Sequence, residues 1–553
     1  MHTILGVGGS DHDVHACIVR DGKVVVAIEE ERLTRQKYGI GGNLLDLCCA
    51  RYCLDSLGLD SRGVDEVVLD NLLPATVKMQ FRRRGRLVDH HDCHAAAAFL
   101  TSGFDKAAVL VMDNAGCLAQ GSGGEGLQAT SWYTGEGGNI ALAGRVLSTS
   151  FDRGPIALGV PYQLGDGDHS LGSFYKRVTG ALGFGFRSGR EADAFFFPED
   201  GITMGLAAYG DDRFVDRFWK LVELGERGSY RFWIRDGRLD ALLEKLLDGE
   251  PAFETRAAVA AAAQAVLCRL IAHIASHVLE VTGMRKLCLS GGVAMNAAAN
   301  GDLLNRLDVD TLYIPPAPGD NGTAIGAALM TAAAAGQRCS YSVYTGMTYA
   351  QARIADALGG LDGARFRHER PAAGTLVDRV ADMIAGGAIV AWFEGGSEHG
   401  RRALGHRSIL ADPRPAAMRD RINKGVKRRQ AFRPYAPAVR ADAAGAYFAA
   451  RQLSPYMQII SPVRAERRGD IAAVVHVDGT ARPQTVNDGS PERISGLVDR
   501  LDALTGIPMV LNTSFNASGQ PIVETPEEAV AAFQDMHIDA LVLGDTLVER
   551  RAP

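Results

Sequence analysis

The sequence predicts an α/β protein of two or more domains. Three observations point there. A chain of 553 residues is long for one hydrophobic core. Apolar runs of strand length recur with acidic or glycine-bearing turns at their ends, and these runs alternate with alanine-rich helical stretches. Hydrophobic residues at 46% and charged residues at 22% are ordinary for a globular protein. The net charge of -6 gives no general pull toward nucleic acid or an anionic membrane, so any anion site must be local.

The chain opens with strand TILGVGG, a turn carrying Asp11, His12 and Asp13, strand HACIVRD, an Asp-Gly turn and strand KVVVAIEEER. Alternation and turn chemistry make this a three-strand meander. The pattern returns after HHDCH, where AAVLVMDNAG leads into LQATSWYTGEGGNIALAGRV. Two such units imply duplicated lobes with a cleft between them, the plan of the actin-like phosphotransferase superfold. Residues 255–281 read as a long alanine-rich helix. RKLCLSGGVAMNAAAN and TLYIPPAPGDNGTAIGAALMTAAAA then each give strand, glycine turn and helix. A ligand there meets backbone N–H groups at a helix start, which favours an anion and makes Gly291, Gly292 and Asn296 candidate nucleotide contacts.

From 340 to 370 the segments are short and turn-rich, with a composition break at GGLDGARFRHERPAAG. This reads as an interdomain connection dividing residues 1–350 from 351–553. The second domain is expected to hold strand GAIVAWFEG, a basic stretch to 440, strands IAAVVHVDG and PMVLNTSFN, a helix and strand ALVLGD. The N-terminus lacks the basic-then-apolar pattern of a signal peptide, and no run reaches the ~18 apolar residues of a membrane span, so a cytoplasmic location is expected. Nine cysteines without CxxC pairs fit reduced thiols. Cys49 and Cys53, on one helical face, and Cys93 and Cys117, near the histidines discussed next, read as packing residues.

His90 and His94 stand four residues apart, which places two imidazoles on one helical face and suits chelation of one metal ion. Asp113 and Asp320 both follow strand-like runs, where open α/β folds collect their ligands. Two nitrogens and two carboxylates suit a first-row metal; iron, zinc and manganese all accept the mixture. Between 401 and 440 the chain carries twelve Arg or Lys against two Asp. These cations are interleaved with turns and aromatics rather than striped along a helix. Arg407, Lys427 and Arg433 therefore read as a polyphosphate pocket, with Arg482 and the strand-end cluster Asn512, Thr513, Ser514 and Asn516 adding donors.

In the segments HDVHA, EEERLTRQKYG, HHDCHAA, GDHSLGSFYKRVTGALGFG, MGLAAYG, LSGGVAMN, PPAPGDNGTAIGAAL, EHGRRALGHRSILADPR, FRPYAPAV, DGTARPQTV and LNTSFN, the chain resembles the O-carbamoyltransferases of antibiotic and nodulation-factor biosynthesis. The resemblance runs over nearly the whole length. It departs at VMDNAG, where the family has DGxGE, at Ile202, where lysine is usual, and at CLAQGSGGEGLQ.

The resemblance implies an actin-like N-terminal domain, similar to the metal-binding enzyme of tRNA threonylcarbamoylation, and a YrdC-like C-terminal domain. It implies that the C-terminal domain makes carbamoyl-adenylate from carbamoyl phosphate and ATP, with magnesium. It further implies that an iron(II)-type ion on His90, His94, Asp113 and Asp320 orients this intermediate against an acceptor hydroxyl, and it allows a homodimer without fixing the oligomeric state. His12, in the first turn, is then a candidate general base for the alcohol, and Arg35 and Lys37 match a basic pair for phosphate or adenylate. Sugar, macrolide, aminoglycoside and hydroxymethyl cephem acceptors all remain open. The competing readings are a tRNA threonylcarbamoylation enzyme, which the acidic net charge disfavours, and a non-catalytic actin-like nucleotide switch, which needs neither the HxxxH pair nor the basic segment.

Overall fold

The computed structural model describes all residues except 40–45, 122–123, 149–168, 189–194, 227, 233–235, 373 and 552–553. Gly167 and Asp168 of the GDHSLGSF segment and Ser122 and Gly123 of CLAQGSGGEGLQ therefore lie outside the described residues. The chain forms two compact units, Met1–Ser342 and Val343–Pro553.

In the first unit the meander forms as the alternation requires. Thr3–Gly8 pairs antiparallel with His15–Arg20, which pairs with Lys23–Glu29. Glu66–Asp70 and Gly85–Val88 then add parallel to the same sheet. A second sheet repeats the plan. Lys106–Met112 pairs antiparallel with Gly124–Glu136, which pairs with Asn139–Ser148, and Lys286–Ser290 and Thr311–Tyr313 add parallel on the other side of Lys106–Met112. The same order of three antiparallel and two parallel strands, used twice, is the duplicated actin-like plan.

One consequence positions the site. Thr3–Gly8, Glu66–Asp70 and Gly85–Val88 run in one direction in the first sheet, and Lys106–Met112, Lys286–Ser290 and Thr311–Tyr313 share a direction in the second. The carboxyl ends of such parallel strands are where α/β folds bind ligands.

Helix His90–Thr101, N-capped by the Asp89 carboxylate on the His91 and Asp92 N–H groups, packs on helix Thr323–Ala334. The contact works because both helices are rich in small residues. A Cβ on Gly326 would lie 1.8 Å from the Cys93 carbonyl oxygen. The long helix Phe253–Thr282 passes the length and composition test for a membrane span, unlike the expectation from the sequence. In this fold 67% of its apolar window is buried within the molecule, the placement of a core helix. Cys49, Cys53, Cys93 and Cys117 are buried, and burial pushes all four thiols up.

The second unit is a mixed sheet. Its described strands run in the order Phe366–Glu369, Thr546–Arg550, Ala540–Leu543, Val390–Phe393, Arg407–Ala411, Met509–Ser514, Ala436–Arg440, Gln484–Val486. Helices Leu376–Ala385 and Glu492–Thr505 contribute Val380, Ile384, Leu497 and Val498 to one apolar face, and helix Pro526–Asp535 contributes Val530 and Phe533 to the other.

Two sequence expectations are corrected here. The segment 340–370 is not a connection: helix Gln351–Leu358 and the edge strand Phe366–Glu369 belong to the second unit, the strand held by antiparallel pairing with Thr546–Arg550. IAAVVHVDG is not a strand either. Ile471, Ala473 and Val474 are all buried in one cluster, a spacing that a turn satisfies and strict alternation does not.

Gly326→Ala should force the two small-residue helices apart. The expected cost is on the order of 1–3 kcal/mol, as for overpacking of a tight core. Chemical denaturation read on the 1–342 unit measures it, and an unchanged midpoint would contradict the close-packing argument.

Candidate metal centre and anion site

His90, His94, Asp113 and Asp320 come together at the carboxyl ends of the parallel strands. One ligand atom from each lies within 4.8 Å of the others, and all four residues are buried. His90 Nε2 is 3.2 Å from His94 Nε2, 3.3 Å from Asp113 Oδ2 and 3.7 Å from Asp320 Oδ1. His94 Nε2 is 3.6 Å from Asp320 Oδ1. Donors around an ion with bonds near 2.1 Å stand roughly 3.0–4.2 Å apart, so the spacing and the nitrogen–oxygen mixture fit a divalent first-row metal.

Every one of the four is also tied on its far side. The Nδ1–H of His90 donates to Asp70 Oδ2 at 2.7 Å, and His94 Nδ1 is 3.3 Å from Ser290 Oγ. Asp113 Oδ1 accepts the Gly292 N–H at 3.0 Å, and Asp320 Oδ2 accepts the Ser10 hydroxyl at 2.6 Å. What remains unengaged by these four partners is the inward-facing set of two imidazole nitrogens and two carboxylate oxygens.

Burial pushes both carboxyls upward, and Asp320 pushes Asp113 up further, yet the imidazoles of His90 and His94, with His12 acting on Asp320, hold both below the usual range. Burial works against a charged His90, but Asp70, Asp113 and Asp320 outweigh it and raise its pKa well above the ordinary value.

His12 lies in the turn that also carries Ser10. Burial lowers its basicity, but the hydrogen bond to Asp13 and the charges of Asp320 and Asp11 raise its pKa to about 9. In this state the imidazole is protonated at neutral pH, so a role as base requires that its acidic surroundings be offset. His15 serves the fold: its Nε2 accepts the Ala324 N–H at the start of helix Thr323–Ala334.

Lys37 pairs with Glu199 and lies over Tyr38, whose ring meets Phe197, and Phe197 in turn meets the His12 ring edge-on at 5.2 Å. Arg35 takes a left-handed conformation at the end of helix Glu30–Thr34, with its guanidinium 3.5 Å from the Arg32 carbonyl. Gly291 is required by its φ of +87° and by the Met112 carbonyl 2.1 Å from where its Cβ would be. Asn296 caps helix Ala297–Arg306 and pairs with Gln264, so its polar atoms have structural partners. Ile202 is buried, and no charge stands at that position.

In the second unit the basic residues divide. Arg407 is fully buried over the Phe393 ring, and its guanidinium donates to the carbonyls of Glu394, His406, Gly395 and Glu524. That engagement makes it a structural post. Glu398 folds the loop before it by accepting the N–H groups of Leu404, His406 and Arg407. Asn512 is likewise engaged, donating to Ala403 and Gln484.

Lys427 is engaged by oxygens as well. Its Nζ is buried against the carbonyl of Ser514 and the carbonyl and side-chain oxygens of Asn516, with no carboxylate partner among the described residues. Burial lowers its pKa well below the ordinary value, and Arg429 and Arg433 lower it further. Arg482 makes no hydrogen bond or ion pair among the described residues. Burial, then Arg402, Arg429 and Arg433, lower its pKa. Burial also lowers Arg429, to about 10. Lys427 and Arg482, buried among cations and with no carboxylate partner among the described residues, describe a place for an anion.

Reading the sequence alone missed Asp70, Ser10, Ser290, Glu398 and Asn423, the last of which gathers Arg429 and Tyr435 on its carbonyl oxygen. Asp70 had a signal: it ends the apolar run EVVLD just as Asp113 ends AVLVM.

The carbamoyltransferase N-terminus model matches residues 3–84 and 71–329, and the carbamoyltransferase C-terminus model matches residues 381–550. The chain belongs to the carbamoyltransferase family. Nodulation protein NolNO of Sinorhizobium fredii is 34% identical over 98% of this chain and 79% of its own length. The 3'-hydroxymethylcephem-O-carbamoyltransferase of Amycolatopsis lactamdurans is 34% identical over 48% of this chain and 49% of its own. A solved structure of full-length HypF, in a phosphate- and nucleotide-bound form, covers 60% of this chain and 55% of that one at 16% identity and a TM-score of 0.36, too slight a likeness to bear on the fold. This carbamoyltransferase is thus an enzyme whose first unit carries the metal-type cluster and whose second carries the cation cluster.

Replacing both His90 and His94 by Ala should remove stoichiometric metal binding by the carbamoyltransferase. Elemental analysis after metal loading checks it, and one bound ion per double variant would refute the four-residue set. Arg482→Gln should weaken tripolyphosphate binding roughly ten- to a hundredfold, the value of a charge-assisted contact. The ligand-free variant should unfold no earlier than the parent, because the lost cation has no partner to leave behind. Unchanged affinity by calorimetry would place the anion elsewhere.

Proposed function

We propose that this carbamoyltransferase is ATP-dependent and moves a carbamoyl group from carbamoyl phosphate, through carbamoyl-adenylate, to a hydroxyl of a secondary metabolite such as an antibiotic or glycoside. One observation supports the reading above others: the two units concentrate opposite charge, carboxylates that call for a cation in the first and unneutralised Lys427 and Arg482 in the second. An activation step on a polyphosphate and an acyl transfer organised by a metal need those opposite environments. A cytoplasmic location is consistent with substrates of this kind.

The chemistry balances in three steps. Carbamoyl phosphate and water give carbamate and phosphate. Carbamate oxygen attacks the α-phosphorus of ATP, brought as its magnesium salt, and pyrophosphate leaves. The acceptor hydroxyl oxygen then attacks the carbamoyl carbon, the bond to the AMP oxygen breaks, and the alcohol proton passes to a base.

In the second unit Lys427, Arg433 and Arg482 are the residues that hold the polyphosphate against its own charge. Ser514, beside Lys427, adds a hydroxyl at the same strand end. In the first unit an iron(II)-type ion, when bound to His90, His94, Asp113 and Asp320, supplies Lewis acidity to the carbamoyl oxygen. Gly291 and Gly292 set the turn that holds Asp113, while Arg35 and Lys37, the latter linked to His12 through Tyr38 and Phe197, are the basic pair for the adenylate phosphate. His12 is the group that takes the alcohol proton, since a dication among the carboxylates offsets the charge that otherwise keeps its imidazole protonated.

Purified enzyme with ATP, carbamoyl phosphate and magnesium should release AMP and pyrophosphate when a hydroxyl acceptor is present. Nucleotide products resolved by chromatography test this. ADP in place of AMP, or AMP formed without carbamoyl phosphate, would refute the adenylate route.

A further inference from the structure

We propose that Asp70 is a positioning residue for the metal centre, fixing the tautomer and orientation of His90 so that Nε2 is the nitrogen presented to the ion. The inference rests on the metal reading above. Asp70 is fully buried, and among the described residues its carboxylate has one side-chain hydrogen-bond partner, the Nδ1–H of His90 at 2.7 Å. Its other oxygen accepts the Leu72 N–H at 2.9 Å, which holds the carboxylate plane in place.

The fold leaves this pair little freedom. Asp70 is the last residue of strand Glu66–Asp70 and stands in register with Val88, the last residue of Gly85–Val88. His90 begins the next helix two residues later, behind the Asp89 cap. Sheet register and helix cap together therefore set the carboxylate against the ring. An imidazole that gives its Nδ1 proton to a fixed carboxylate has its lone pair on Nε2, the atom that faces His94, Asp113 and Asp320.

Asp70 also has the Leu72 N–H and an electrostatic attraction to Lys78, and positive charge behind the imidazole ring compensates its burial further. A cation on Nε2 supplies that charge, and the carboxylate in turn makes the nitrogen a stronger donor. His94 has the weaker counterpart, a Ser290 hydroxyl at 3.3 Å that also donates to the Pro318 carbonyl. The two histidines are thus unequal, and Asp70 carries the larger share of the orientation.

The test is cobalt(II) titration of the full-length, metal-free protein, followed by the visible absorption of the bound ion. Asp70→Asn should raise the cobalt dissociation constant roughly ten- to a hundredfold, the usual cost of losing an outer carboxylate, and shift the absorption bands. Ser290→Ala should cost less than Asp70→Asn, and Asp70→Glu should recover part of the loss. A folded Asp70→Asn protein with the parent affinity and spectrum would overturn the inference while leaving the four-ligand reading intact. If the parent itself binds no cobalt, the four-ligand reading falls and takes the role of Asp70 with it. Should Asp70→Asn not fold, a crystal structure of the cobalt-loaded parent decides: ligation through His90 Nε2 with Nδ1 on Asp70 supports the role, and ligation through Nδ1 overturns it.

Discussion

Two aspartates are buried in contact with the same pair of imidazoles, and the geometry of the first unit answers the repulsion between them. At an effective dielectric near 20, two unit charges about 4–5 Å apart repel by roughly 3–4 kcal/mol, before any cost of burial. Asp113 and Asp320 nevertheless ionise more readily than ordinary carboxyls. The Gly292 N–H and the Ser10 hydroxyl each fix one oxygen, and the histidines supply charge on the inner side. The arrangement needs positive charge at its centre, as protons on imidazole or as a metal ion.

The sheets exist in a form that can deliver those atoms. Ser10, Asp70, His90, Asp113 and Ser290 lie at or just beyond the ends of parallel strands, and Asp320 follows the last of them after a proline-rich turn. Because each strand is locked in register with its neighbour, an error in one ligand position means moving a strand end. The close approach of helices His90–Thr101 and Thr323–Ala334 serves the same purpose, since one begins with the histidines and the other follows directly on Asp320. Alanine and glycine fill that interface because any larger side chain would separate the ligands.

Much of this was legible in the residues. The meander, its repeat, the long helix and the four metal-type residues follow from alternation, spacing and strand-terminal acids. What escaped depends on tertiary pairing. Asp70 looks like Asp113 in sequence and becomes different only because strand register sets it behind an imidazole instead of beside one. Arg407 and Lys427 are equally basic letters in one basic segment. Only the fold shows what each one meets: four backbone carbonyls around Arg407, and the Ser514 and Asn516 oxygens around Lys427. IAAVVHVDG has the composition of a strand but buries its residues as a turn, because β-propensity is settled by the surface that a segment packs against. The segment 340–370 looked like a connection because its glycines and prolines flank an edge strand, and edge strands tolerate such residues.

Under the proposed function, the opposite charge of the two clusters gives a physical reason for using two sites. A cavity that holds a cation needs carboxylates kept ionised, and one that holds a polyphosphate needs amines and guanidiniums kept free of carboxylates. Brought into one cavity, Asp113 and Asp320 would pair with Lys427 and Arg482, each set satisfying the other and neither left with affinity for its ligand. Charge-assisted contacts are strong because the partner is absent until the ligand arrives. A reaction that must activate its acyl group on a polyphosphate and then deliver it to an alcohol at a metal therefore has a physical reason to place these steps in different halves of one chain.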